Sequence, residues 1–112
     1  MNEPVLDSVV FEEISNLMES ALSEFIDTYL ENSPKLLKNI HRSLSQGDLQ
    51  GLFHNAHQLK GGSGSIGAMQ VFQLAKAIET QSRAGSAQGL EQQVSELQQA
   101  FERVATELRA HR

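Results

Sequence analysis

The residues best equipped for chemistry stand together in His57-Gln58-Leu59-Lys60-Gly61-Gly62-Ser63-Gly64-Ser65-Ile66-Gly67-Ala68. An imidazole is a nucleophile whose ordinary pKa, about 6.5, leaves it largely neutral at neutral pH. On a helix, positions three and four apart are neighbours. Lys60 and Gly61 therefore lie one turn from His57 and Gly64 two turns away, on one flank. Each glycine in a helix interior costs about 1 kcal/mol relative to alanine. Several of them just after a histidine either end the helix or leave bare backbone where something must come close. An exposed neutral imidazole with room beside it suits attack on phosphorus. Gly61 and Gly64 remove side chains that would crowd a phosphoryl group or a docking partner, His54 and Gln58 border the same surface, and Lys60 supplies a point cation. The chain offers no nucleotide site, so the phosphoryl group must come from another protein.

Other chemistries fail on spacing or context. Gly62-x-Gly64-x-x-Gly67 matches the dinucleotide-binding pattern, but that pattern needs a strand before it, and Leu49 to Lys60 reads as a helix. Ser65, in Gly64-Ser65-Ile66-Gly67, lacks the spacing of a nucleophile elbow. His54 and His57 are a conceivable metal pair with His41 or His111, but no acidic residue one turn away on the same helix completes a site, and no metal is expected. His54 alone reads as a solvated helix residue. Gly61 to Ser65 has the composition of a flexible linker, yet the apolar period runs through it. Helical glycines and a final turn followed by a loop both stay open.

The whole chain narrows the field further. Its 112 residues suit one domain with one core, residues 1–112. A net charge of −5 argues against neutralising nucleic-acid phosphates, and no run of Lys or Arg suits an anionic membrane. The absence of cysteine excludes disulfides and thiol chemistry. No apolar stretch approaches the roughly 18 residues of a membrane span, and Met1-Asn2-Glu3-Pro4 lacks a basic start and a long apolar segment, so no signal peptide is expected. The expected compartment is the cytoplasm.

The elements that must position His57 are all helical. Leu6, Val9, Val10, Ile14, Leu17 and Met18 mark a short helix over 5–18, with Asp7 as N-cap and Leu6 and Phe11 as a hydrophobic staple. Residues 20–46 keep one apolar face (Leu22, Phe25, Ile26, Tyr29, Leu30, Leu37, Ile40, Leu44) across Pro34, which predicts one kinked helix rather than two. Gly47 and Asp48 make a tight turn into a helix from Leu49, with Leu52, Phe53, Ala56, Leu59 and Ser63 inward and His57 at the edge. Residues 68–83 continue with Ala68, Val71, Phe72, Ala75 and Ile78 inward; Gly85 and Ser86 are the expected C-cap and N-cap of the next turn. Leu90, Val94, Leu97, Phe101, Val104 and Leu108 form a heptad-spaced seam, expected to pack within the chain. No strand, repeat or linker is predicted. The expected fold is all-α: an antiparallel up-down four-helix bundle over 20–110 with the short amino-terminal helix laid against it.

Ala56-His57-Gln58-Leu59-Lys60-Gly61, with Ser63, Ile66, Gly67 and Ala68, resembles the histidine-containing phosphotransfer (HPt) domain family. Gly62 stands where that family commonly has serine, and Gly64 where it commonly has alanine. The resemblance implies a phosphocarrier in a multistep two-component phosphorelay, not an enzyme. His57 would accept a phosphoryl group from the aspartate of a receiver domain and pass it to another receiver. Lys60 would steady the phosphoryl group, and Gly61 and Gly64 would give the receiver access. The partners implied are receiver domains of a hybrid sensor kinase and of a response regulator. They bring the aspartate and the Mg²⁺, while this chain binds no cofactor and is expected to be a monomer. The alternatives are a helical scaffold that binds a receiver without accepting phosphate, and the dimerisation and phosphoacceptor domain of a histidine kinase. That kinase domain usually has an acidic residue after its histidine, where this chain has Gln58.

Overall fold

Leucine, isoleucine, valine and alanine recur at helical spacing along most of the chain. In the computed structural model, which describes residues 5–18 and 21–111, that pattern becomes five helices. They are α1 (Ser8–Met18), α2 (Leu22–Gln46), α3 (Leu49–Ile66), α4 (Met69–Arg83) and α5 (Leu90–Arg109). The expected start of the second helix at residue 20 lies outside the described residues.

Paired side chains give the directions. Tyr29 meets Ser63 and Asn39 meets Asn55, so position falls along α3 as it rises along α2. His57 with Glu79 and Gly64 with Phe72 do the same for α3 with α4, and Gln81 with Gln93 and Gln70 with Arg103 for α4 with α5. Each of α2 to α5 packs on two neighbours, which closes an antiparallel four-helix bundle, and α1 lies against α2 and α3. No helix among the described residues is long and apolar enough to cross a membrane.

Pro34 does not break α2, which runs on with Ile26, Tyr29 and Ser33 buried before the proline and Leu37 and Ile40 after it. Pro34 itself is exposed. A proline on the solvent side leaves its lost hydrogen bond where water can satisfy the freed carbonyl. Gly47 (φ 69°) closes α2, and the Asp48 carboxylate accepts the Gly51 N–H at 2.9 Å to open α3. The heptad seam of α5 is buried inside the bundle at all six positions.

Three expectations at element ends are corrected. Ala84, not Gly85, closes α4, and Gly89, not Ser86, precedes α5. Gly85 (φ 81°) and Gly89 (φ 77°) each reverse the chain, which lengthens the turn, and the Ser86 hydroxyl accepts the Gln88 N–H within it. On α1, Val9 and Leu17 are not inward but 63% and 82% exposed. This helix meets the rest of the chain through Phe11, which packs against the core, and, just before the helix begins, through the buried Leu6 and the Asp7 N–H to the Gly67 carbonyl at 2.7 Å. Asp7 is the expected cap: its carboxylate accepts the N–H groups of Val9 and Val10 at 3.0 and 3.1 Å.

Gly67 (φ 86°) ends α3 in the left-handed conformation, and a Cβ there would meet Val10 at 3.2 Å. Gly85 shares that conformation with nothing within 4 Å. Gly85→Ala is expected to cost about 1 kcal/mol from backbone strain alone. Gly67→Ala should cost about 1 kcal/mol more, because α1 must also yield. Urea unfolding midpoints of the two variants check the difference.

Candidate functional site

Burial of Leu52, Ala56, Leu59 and Ser63 fixes the rotation of α3 and turns His57 outward, its side chain 60% exposed. The glycines are helical: α3 continues through Gly61 to Ser65 and ends at Ile66. The linker composition is overridden because Ser63 and Ile66 are buried on the same face as Leu59.

Opposite His57, α4 brings Glu79, only 8% exposed, from the buried face that also carries Ala75, Ile78 and Ser82. One carboxylate oxygen of Glu79 accepts from His57 Nδ1 at 2.7 Å, and the other takes the Lys60 ammonium at 2.7 Å. Burial pushes the Glu79 carboxyl up. The hydrogen bonds from Lys60 and His57, with the charges behind them, outweigh burial and hold it below the usual carboxylate range. An ionised carboxylate only accepts, so Nδ1 is the nitrogen that carries the proton. The neutral ring then keeps its lone pair on Nε2. Phe53, one turn earlier, lies nearly parallel to the imidazole, with 17° between the planes and centroids 6.1 Å apart.

The other expected residues divide. A Cβ on Gly61 would meet nothing within 4 Å, so its backbone is open to an approaching partner. Gly64 is half-buried, and a Cβ there would meet the Phe72 ring at 3.1 Å. Its missing side chain lets α4 pack close to α3. His54 is exposed beside the Phe53 ring. Gln58 borders an open groove of about 410 Å³ between α2 and α3, whose apolar wall includes Phe25, Tyr29 and Leu36. In its floor the Tyr29 hydroxyl meets Ser63 Oγ at 2.6 Å. Burial pushes the Tyr29 phenol up to about 12, against the hydrogen bonds of Ser63 and Ser33, so it stays protonated. Among the described residues no group of three or more His, Cys, Asp or Glu is placed to hold a metal ion.

Sequence spacing does not reach Glu79, because it stands 22 residues from His57 on another helix. Its signal was there: an ionisable residue on the inward face of α4, between Ala75 and Ser82, where a buried acid needs a partner.

A helical bundle that holds an imidazole by one nitrogen and presents the other to solvent belongs to the class that carries phosphoryl groups on histidine. Comparison with known proteins agrees. Residues 24–107 match the model of the Hpt domain, and the chain belongs to that family. The chain is 34% identical to histidine-containing phosphotransfer protein 4 of Arabidopsis thaliana, over 70% of this chain and 67% of that protein. The crystal structure of histidine-containing phosphotransfer protein B from Pseudomonas aeruginosa superposes with a TM-score of 0.94 at 29% identity, covering 98% of this chain and 96% of that one. A histidine-containing phosphotransfer protein from rice, 19% identical, shares the fold with a TM-score of 0.83 over 95% of this chain and 78% of its own.

A carboxyl held below its ordinary value of 4.5 in the fold stabilises the protein above that value and loses the contribution as pH falls through the depressed one. Thermal unfolding midpoints should therefore drop as pH falls below about 4.5. The drop should be shallower in Glu79→Gln, which cannot titrate.

Proposed function

We propose that His57 is the phosphoacceptor of this phosphorelay carrier, that Nε2 is the reacting atom, and that Glu79 holds the ring for it. The observation that carries this reading is the 2.7 Å contact between His57 Nδ1 and the Glu79 carboxylate on an imidazole otherwise open to solvent. The receiver supplies the aspartyl phosphate and the Mg²⁺. The Nε2 lone pair attacks phosphorus, the bond from phosphorus to the aspartate oxygen breaks, and the carboxylate leaves with its electron pair. No proton moves: Nδ1 keeps its hydrogen. The ring gains positive charge as the N–P bond forms, and Glu79 faces that charge with a fixed negative group, a preorganised stabilisation of the kind that dominates phosphoryl transfer. Transfer to a second receiver runs the same step backwards.

Gly61 supports an approach of the receiver over bare backbone of α3, and the α2–α3 groove supports apolar docking beside Gln58. Burial of the α5 seam inside the bundle supports a monomer.

The test is incubation with a phosphorylated receiver and Mg²⁺. Wild type should gain an acid-labile, base-stable phosphate, and His57→Gln none. The imidazole is largely exposed, but its loss takes one donor from Glu79, so that variant should keep its fold and lose about 1–2 kcal/mol. A wild type that binds receivers but is never labelled would replace this reading with a scaffold. Gly61→Leu should fold normally, with open space around its Cβ, yet slow transfer at least about tenfold by holding the receiver off, a loss of about 1.4 kcal/mol in the transition state.

A further inference from the structure

The resemblance assigns Lys60 to the phosphoryl group, but in the structure its ammonium sits on Glu79. Nζ is 2.7 Å from one carboxylate oxygen while His57 Nδ1 is 2.7 Å from the other. The Lys60 side chain is only 24% exposed, against 60% for His57. One anion is thus shared by a permanent cation and a ring that can become one.

A carboxylate alone beside an imidazole favours the imidazolium. An imidazolium has no lone pair and is no nucleophile. The same carboxylate with its charge balanced by an ammonium still accepts the Nδ1–H but draws a second proton onto the ring far less. We propose, building on His57 as phosphoacceptor, that Lys60 is a positioning residue acting through Glu79. It neutralises the carboxylate so that Glu79 orients a neutral imidazole instead of protonating it.

The other charged or titratable neighbours do not substitute for Lys60. On α3, His54 lies one turn before His57 and is exposed. On α4, Lys76 and Arg83 stand one turn to either side of Glu79, also exposed, and neither forms an ion pair with it. On α2, Lys35 borders the groove beside Gln58. Such exposed charges are screened by water and salt. Lys60 and His57 alone make ion pairs to this carboxylate among the described residues.

The test uses four full-length chains: wild type, Lys60→Met, Glu79→Gln and the double variant, each checked for native fold by circular dichroism. The first readout is an NMR titration of the His57 ring in unphosphorylated protein, which needs no receiver. Lys60→Met should raise the pH at which His57 titrates by about one unit, and adding Glu79→Gln should reverse that rise. The second readout is transfer from a phosphorylated receiver, taken relative to wild type at each pH. Lys60→Met should be several-fold slow at pH 6.5–7 and should recover toward wild type by about pH 8.5. An unmoved His57 titration in Lys60→Met, or a loss of transfer equal at every pH, would overturn the proposal and return Lys60 to the phosphoryl group. If wild type itself accepts no phosphate, the phosphoacceptor reading fails instead, while the titration still decides what Lys60 does to the ring.

Discussion

A carboxylate taken nearly out of water needs donors for both oxygens if it is to stay charged. Glu79 finds them in two residues of α3, three positions apart, so that one acid on α4 anchors both side chains. The bundle serves that arrangement. Its core fixes the rotation of α3, which turns His57 outward, and the rotation of α4, which turns Glu79 inward. The two-residue link through Gly67 and Ala68 holds the helices close enough for the carboxylate to reach. Burial would by itself favour the neutral acid; two short hydrogen bonds reverse that.

The glycines of α3 turn out to have different physical purposes. Gly64 admits the Phe72 ring and belongs to the packing of α3 on α4. Gly67 adopts a left-handed conformation at the helix end. Gly61 touches nothing that would explain it, and a helix that carries an unexplained glycine on its open face gives up about 1 kcal/mol. Gly64 has a packing reason within the chain, and Gly61 has none.

Much of this was readable beforehand. The apolar periods of α2, α3 and α5 located the core, Gly47 and Asp48 located a turn, and Asp7 located a cap, because each depends on residues close in sequence. His57 stood out because few roles suit a histidine beside glycines. What escaped were relations between helices. Glu79 lies 22 residues from His57, and its meaning comes from the helix opposite. Phe72 against Gly64 is the same kind of case. Val9 and Leu17 fit an apolar stripe on α1, but periodicity describes a face and does not guarantee that another element covers it. The α4–α5 turn was misjudged because two left-handed glycines, not one, shape it.

That thin attachment of α1 sets how the native state comes apart. No residue within α1 itself is buried; the helix is tied to the bundle by Leu6 just before it, one backbone bond to Gly67, Val10 beside Gly67, and the half-buried Phe11 beside His111. The end of α3 keeps its own closure, from Gly67 N–H to Gly64 and from Ala68 N–H to Ser63. Detaching α1 therefore unwinds nothing in the bundle. Its amides exchange with solvent through a local opening of low free energy, while those in the middle of α2 to α5 wait for the whole core to open. The molecule has two levels of protection, and the imidazole is anchored in the slower one.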